Sequence, residues 1–124
     1  MIDFQNASFV KLSPVRDSDF EGLLAPLFVP GEAIVQSFKG IRDGVVFTNK
    51  RIFAINIQGI TGKKKDITSL PYSRIQAFSV ETAGVLDLDS ELELWFSGLG
   101  KAKFEFVSHA NVSGICQMIS EKVL

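Results

Sequence analysis

From Gly44 to Ile57 the chain reads GVVFTNKRIFAINI, and no other stretch constrains the fold as much. Two apolar runs flank Asn49-Lys50, so a two-residue turn pairs Val45–Thr48 with Arg51–Ile57, with Asn49 tolerant of a left-handed backbone. In that register Val45, Phe47, Ile52 and Ala54 share one face, and Val46, Thr48, Arg51, Phe53 and Ile55 share the other. A sheet with one solvated side alternates cleanly between apolar and polar. Here both faces are largely apolar, so both need cover. The hairpin is expected either to be sandwiched within its domain or to have its outer face covered by another subunit.

The flanking segments extend this pattern. Ala33–Lys39 reads as a short strand and Gly40–Asp43 as a tight connection, with Lys64–Leu70 and Arg74–Thr82 as later strands. In the last of these, Ile75 and Ala77 are out of phase with Phe78 and Val80, which a bulge near Phe78 would reconcile. Leu86–Phe96 alternates, with Asp87, Asp89, Glu91, Glu93 and Trp95 outward. Pairing Phe96 with Ala102 and Leu94 with Phe104 leaves Gly98-Leu99-Gly100 as the loop. That register sets Trp95 against Lys103 as a cation–π pair, and Glu93 opposite Glu105. Asp17 offers a helix cap ahead of Phe20, Leu23, Leu24 and Leu27, with Pro26 limiting the helix. Ser108 or Asn111 can cap a final helix whose stripe is Val112, Ile115, Cys116, Ile119 and Val123. The expected fold is mainly β. Two roughly orthogonal antiparallel sheets of about seven strands are closed by a C-terminal helix and preceded by an extra N-terminal helix. We expect a single domain, with residues 1–29 as the N-terminal helical extension, 30–108 as the sheets and 109–124 as the C-terminal helix.

No apolar run approaches the roughly 20 residues of a membrane span, and MIDFQNASFVKL has no apolar signal core, so a cytoplasmic protein is expected. A lone cysteine, Cys116, suits a reducing compartment. The net charge of −1 conceals a segregation. Lys39, Arg42, Lys50, Arg51, Lys63, Lys64, Lys65 and Arg74 face only Asp43 and Asp66 in residues 39–74. Residues 81–105 carry Glu81, Asp87, Asp89, Glu91, Glu93 and Glu105 against two lysines. Such a dipole can steer a partner or a second copy.

Three segments in this order and spacing, Val46-Phe-Thr-Asn-Lys-Arg-Ile52, Gly62-Lys-Lys-Lys-Asp-Ile-Thr-Ser-Leu-Pro-Tyr-Ser-Arg-Ile75 and Glu91-Leu-Glu-Leu-Trp-Phe96, resemble the bacterial pleckstrin-homology-like family over roughly residues 30–122. The resemblance implies the pleckstrin-homology superfold and a non-enzymatic domain. It also implies self-assembly into a closed ring, with a pentamer as the candidate size, and a hydrophilic surface that binds a protein still to be identified. The segregated charges and the two-faced hairpin suit a head-to-tail contact.

Phe47, Phe53 and Ile55, rimmed by Lys50 and Arg51, are the candidate subunit interface, and Glu91, Glu93, Trp95 and Lys103 the candidate partner surface. Lys39, Arg42, Lys63, Lys64 and Lys65 are candidates for anion or lipid contact, without the loop expected of phosphoinositide-specific domains. Gly59-Ile-Thr-Gly-Lys63 lacks phosphate-loop spacing. Asp87, Asp89, Glu91 and Glu93 on a flat strand would not converge on a cation. His109 is expected near a helix N-terminus and Cys116 in the core, which makes no catalytic pair. No catalytic residue, metal ligand or cofactor is expected. Nucleic acid is not expected either, since the pI is about 5.8 and no basic surface is interleaved with Tyr or Trp.

Overall fold

The computed structural model describes residues 1–82, 89–107 and 110–124. The chain runs β1 (Ala7–Val15), α1 (Ser18–Leu24), β2 (Ile34–Lys39), β3 (Gly44–Thr48), β4 (Arg51–Gln58), β5 (Lys64–Pro71), β6 (Ile75–Glu81), β7 (Glu91–Phe96), β8 (Gly100–Phe106) and α2 (Val112–Val123). Single 3₁₀ turns follow α1 at Ala25–Leu27 and β5 at Tyr72–Arg74. The strands form one eight-stranded sheet in the order β5-β4-β3-β2-β1-β8-β7-β6. Its two halves close on a shared core, where Phe38 and Phe47 of β2 and β3 meet Phe104 and Phe106 of β8 at centroid distances of 4.9–6.5 Å. Helix α2 docks Val112, Ile115 and Ile119 onto the same core and packs against the Tyr72–Arg74 turn. This is the mainly β architecture with a C-terminal helix that the sequence predicts.

Strand β1 is the departure, because residues 1–29 read as a helical extension and only α1 and the 3₁₀ turn after it are helical there. β1 joins the two halves, antiparallel to β2 and parallel to β8. Its alternation is broken between Phe9 and Leu12, where the register shifts and Lys11 takes φ 53°. Asp17 does not cap α1. It has helical dihedrals, and its carboxylate accepts from the Ser37 hydroxyl at 3.1 Å.

The β3–β4 hairpin has the predicted register, with Phe47 opposite Ile52 and Val45 opposite Ala54. Both faces are buried, as the pattern demands, but the cover is intramolecular. Val45, Phe47, Ile52 and Ala54 face the main core. Val46, Phe53 and Ile55 form a second core with Phe20 and Leu24 of α1, edged by Phe28 and Ile67. Phe47, Phe53 and Ile55 are fully buried in the protomer, so they are not a subunit interface. The turn is not left-handed at Asn49, because Lys11 and Asp89 are the non-glycine residues with positive φ among those described. Instead the Thr48 hydroxyl accepts from the amides of Lys50 and Arg51, each at 3.0 Å. Asn49 ties the turn to the Gly31–Ala33 segment, accepting from the Ala33 amide at 2.8 Å and donating to the Gly31 carbonyl at 3.0 Å.

In β6 the register slips between Ile75 and Ala77, the bulge expected close to Phe78. The β7–β8 hairpin keeps the predicted inward parity but slides by two residues, pairing Phe96 with Gly100, Leu94 with Ala102 and Leu92 with Phe104. Ser97-Gly98-Leu99 is the loop, closed by Leu99 N–H to Phe96 O at 3.1 Å. Gly100 adopts φ 130°, and a Cβ there would strike the carbonyl of Phe4. Of the candidate caps for α2, Asn111 accepts from the Gly114 amide at 3.1 Å, while Ser108 and His109 lie outside the described residues, as do Leu86, Asp87 and Leu88.

Candidate functional site

Arg51, expected at an interface rim, is consumed within the fold. Its Nε and Nη2 grip the Glu32 carboxylate at 3.0 and 2.9 Å, a bidentate charge-assisted pair. Nη2 also donates to the Leu27 carbonyl at 2.5 Å and Nη1 to Ser69 Oγ at 3.1 Å, while Cζ sits 4.4 Å over the Phe53 ring. The Glu32 side chain is fully buried and also accepts from the Thr48 hydroxyl at 2.8 Å and the Val29 amide at 3.0 Å. Burial alone would raise its pKa. The hydrogen bonds from Arg51, Val29 and Thr48 outweigh burial and hold the carboxyl below its ordinary value. This cluster closes the α1–β2 connection over the β3–β4 turn and has no spare valence for a ligand. Lys50 beside it is exposed.

The outer face of β7 and β8 is open. Trp95 is 46% exposed beside a cleft of about 460 Å³ formed with Phe4, Gln5, Leu99 and Lys101. The two-residue slide sets Trp95 opposite Lys101 rather than Lys103, and Glu93 opposite Lys103 rather than Glu105. Lys101 reaches Glu93 at 3.7 Å and Lys103 reaches Glu91 at 3.3 Å, half-exposed pairs that add little stability. The expected partner residues Glu91, Glu93, Trp95 and Lys103 thus share one face, with its charges largely paired. Phe4, Leu99 and Lys101 are the additions that sequence reasoning missed. Leu99 between two glycines, 57% exposed in a turn, was the available signal. Beyond them Glu81, Glu91 and Glu105 stand opposite one another across three strands. Among the described residues no group of acids, His or Cys is placed to hold a metal ion.

The basic candidates occupy the other half. Lys39, Arg42, Lys63, Lys64 and Lys65 are all exposed. Arg42 and Lys63 lie in the β2–β3 and β4–β5 loops, Lys39 ends β2, and Lys64 and Lys65 begin β5; the two loops are joined by a hydrogen bond from Arg42 Nη2 to the Gly59 carbonyl at 2.8 Å. Asp66, the acid nearest the lysines in sequence, is paired with the Met1 amino group at 2.5 Å. Cys116 is half-buried on α2 against the main core.

A curled sheet of this strand order, plugged by a C-terminal helix, defines the pleckstrin-homology class. The chain belongs to the bacterial PH domain family, whose model matches residues 3–123. It is similar to the uncharacterized protein YjqA of Bacillus subtilis, 47% identical over 93 residues, which covers 75% of this chain and 70% of that protein. It is also similar to the uncharacterized protein YozO of the same organism, 39% identical over 79 residues, 64% of this chain and 68% of that one. Among solved structures, a DUF1696 family protein with a pleckstrin-homology domain from Shewanella loihica superposes with a TM-score of 0.78 at 38% identity, over 93% of this chain and 99% of that one. A pleckstrin homology domain from Shewanella amazonensis gives a TM-score of 0.65 at 39% identity, over 89% and 90%. Among the described residues no helix is long and apolar enough to cross a membrane.

Proposed function

We propose that this chain is a non-enzymatic interaction module that assembles with copies of itself into a closed ring and presents the outer face of β7 and β8, centred on Trp95, to a protein partner. The observation that carries the reading is the sheet order. Among the described residues β5 and β6 stand at its two ends, each hydrogen-bonded to one neighbouring strand. Free strand edges are templates for another chain. A contact between β5 of one copy and β6 of the next is heterologous, and it forms a ring when the rotation closes. It also brings the basic half of one copy to the acidic half of the next. An exposed tryptophan beside a cleft is the kind of anchor that dominates protein interfaces. The non-enzymatic reading is supported by how the carboxylates are spent. Glu32 is held by Arg51, Asp66 by the amino terminus, and Asp3 by the amide of Gln5 and the side chain of Asn6.

Light scattering after gel filtration tests the assembly. A single species at several multiples of 13.6 kDa is expected, and a monomer at micromolar concentration would overturn the ring. A second reading, contact with anionic lipid through Lys39, Arg42, Lys63, Lys64 and Lys65, is favoured by the hydrogen bond that joins the two basic loops.

A further inference from the structure

Trp95 is the single tryptophan of the chain and the one exposed ring among its Phe, Tyr and Trp residues, since every phenylalanine and Tyr72 is buried or half-buried. The fold that buries every other such ring leaves this one in water, as surfaces that meet a partner do. Two depressions flank it. On one side lies the cleft of about 460 Å³ walled by Phe4 and Leu99. On the other, the short side chains of Ala77 and Ser79 on β6 leave a hollow of about 180 Å³. A third, of about 400 Å³, lies further along β7 between Glu81, Asp89, Glu91 and Glu105.

The face changes chemistry along its strands. Its first row is Ala77, Trp95 and Lys101, its second Ser79, Glu93 and Lys103, and its third Glu81, Glu91 and Glu105. Glu91 precedes Trp95 by four positions on β7, roughly 14 Å at a rise of about 3.4 Å per residue. Lys101 and Lys103 lean on Glu93 and Glu91. Glu81, Asp89 and Glu105 meet no lysine or arginine among the described residues. Like charges directly opposite across strands are destabilising, so a cation laid over the third row relieves a cost built into the sheet. Five acids against two lysines also repel phosphate backbones and anionic headgroups, which leaves a polypeptide as the occupant. We propose that this groove binds an extended, cationic segment of another protein. One large apolar side chain of that segment seats against Trp95 and Leu99, and lysine or arginine about four residues away along it lies over Glu91 and Glu105. The inference rests on the reading of this face as the partner surface and adds the charge and spacing of what binds there. Glu91 and Glu105 stand on inner strands, clear of the edges where copies of the chain would meet.

As the single tryptophan, Trp95 reports on its own cleft. The test is titration of the full chain with blocked peptides that carry a leucine and a lysine pair about four residues apart, with serine between, in both directions, read by tryptophan emission. The basic peptides are expected to shift the emission to the blue with a dissociation constant below about 1 mM, and to bind more weakly as salt rises. A counterpart with glutamate in place of lysine should bind at least about tenfold more weakly. Leu99→Ser, in an exposed turn, and Glu105→Lys should each weaken the basic peptides about fivefold, with circular dichroism to verify the fold of each variant. Equal affinity for the acidic counterpart, or unchanged affinity in either variant, would overturn the proposal. So would a silent titration of a Trp95 that acrylamide quenches freely, and the face would then stay open to a partner of other chemistry. A Trp95 shielded from acrylamide and uncovered on dilution would mean that another copy occupies the face, which removes the partner surface itself and this proposal with it.

Discussion

Arg51 shows how one side chain can look like a surface feature in sequence and be a clamp in the fold. A lone arginine in a hairpin suggests a rim. Its partner, Glu32, is 19 residues away in the chain and no local pattern links the two. Removing one partner of a buried ion pair strands the other charge, so Arg51→Ala should cost about 3–5 kcal/mol in urea unfolding. The Glu32 carboxyl is held below its ordinary value in the folded state, so its contribution is present above the unfolded-state value of about 4.3 and is lost as pH falls through the lower folded value. An Arg51→Met, Glu32→Gln double variant should therefore lose part of the acid sensitivity of unfolding below about pH 4.3. If the acid limb is unchanged, Glu32 does not carry it. Tyr72 is a second fixed point. Its hydroxyl donates to the Thr48 carbonyl at 2.7 Å, and burial first, with the Glu32 charge behind it, raises its pKa so that the donor proton stays on. Tyr72→Phe removes this buried hydrogen bond and should cost about 0.5–1.5 kcal/mol in urea unfolding.

Elements were legible where the pattern was local and regular. The β3–β4 hairpin showed its register and its two apolar faces, because Phe47 opposite Ile52 follows from a two-residue turn and simple alternation. Helix α2 was marked by its stripe and by Asn111. Gly114, which reads as a weak point in that helix, has a reason in the structure, since a Cβ there would lie 2.5 Å from the Asn111 amide nitrogen that sits over the cap. Gly114→Ala should therefore destabilise the fold despite alanine's higher helix propensity, and Asn111→Ala should cost about 1 kcal/mol in thermal or urea unfolding. If Gly114→Ala stabilises, the cap is not worth its geometry. Strand β1 was illegible because the slip at Lys11 breaks its period. The β7–β8 register missed by two because parity alone cannot choose between Gly100 and Ala102 opposite Phe96. What decides is the approach of the Phe4 backbone to Gly100, a contact between segments almost 100 residues apart. The cover of the hairpin's second face was also non-local. Phe20 lies against Gly44 so closely that a Cβ there would strike its ring, and Gly44→Ala should destabilise by pushing α1 off the sheet.

At the scale of the whole molecule, that intramolecular cover changes what assembly can mean. Had Phe47, Phe53 and Ile55 been exposed, a subunit would have been obligatory and dissociation would have unfolded the chain. With those side chains buried, the protomer is complete in its core, and the proposed association through β5 and β6 would join backbone edges and complementary charges instead. Contacts of that kind are salt-sensitive and separable from folding. Raising salt or diluting the protein should lower the mass seen by light scattering while the circular dichroism spectrum stays constant. Glu81→Lys, at the end of edge strand β6, should shift the dissociation midpoint to at least about fivefold higher protein concentration, the equivalent of a lost charge pair of about 1 kcal/mol. Dissociation accompanied by loss of the β spectrum would mean that the interface reaches into the cores after all. A charge variant that left the assembly unchanged would mean that the copies meet away from these edges.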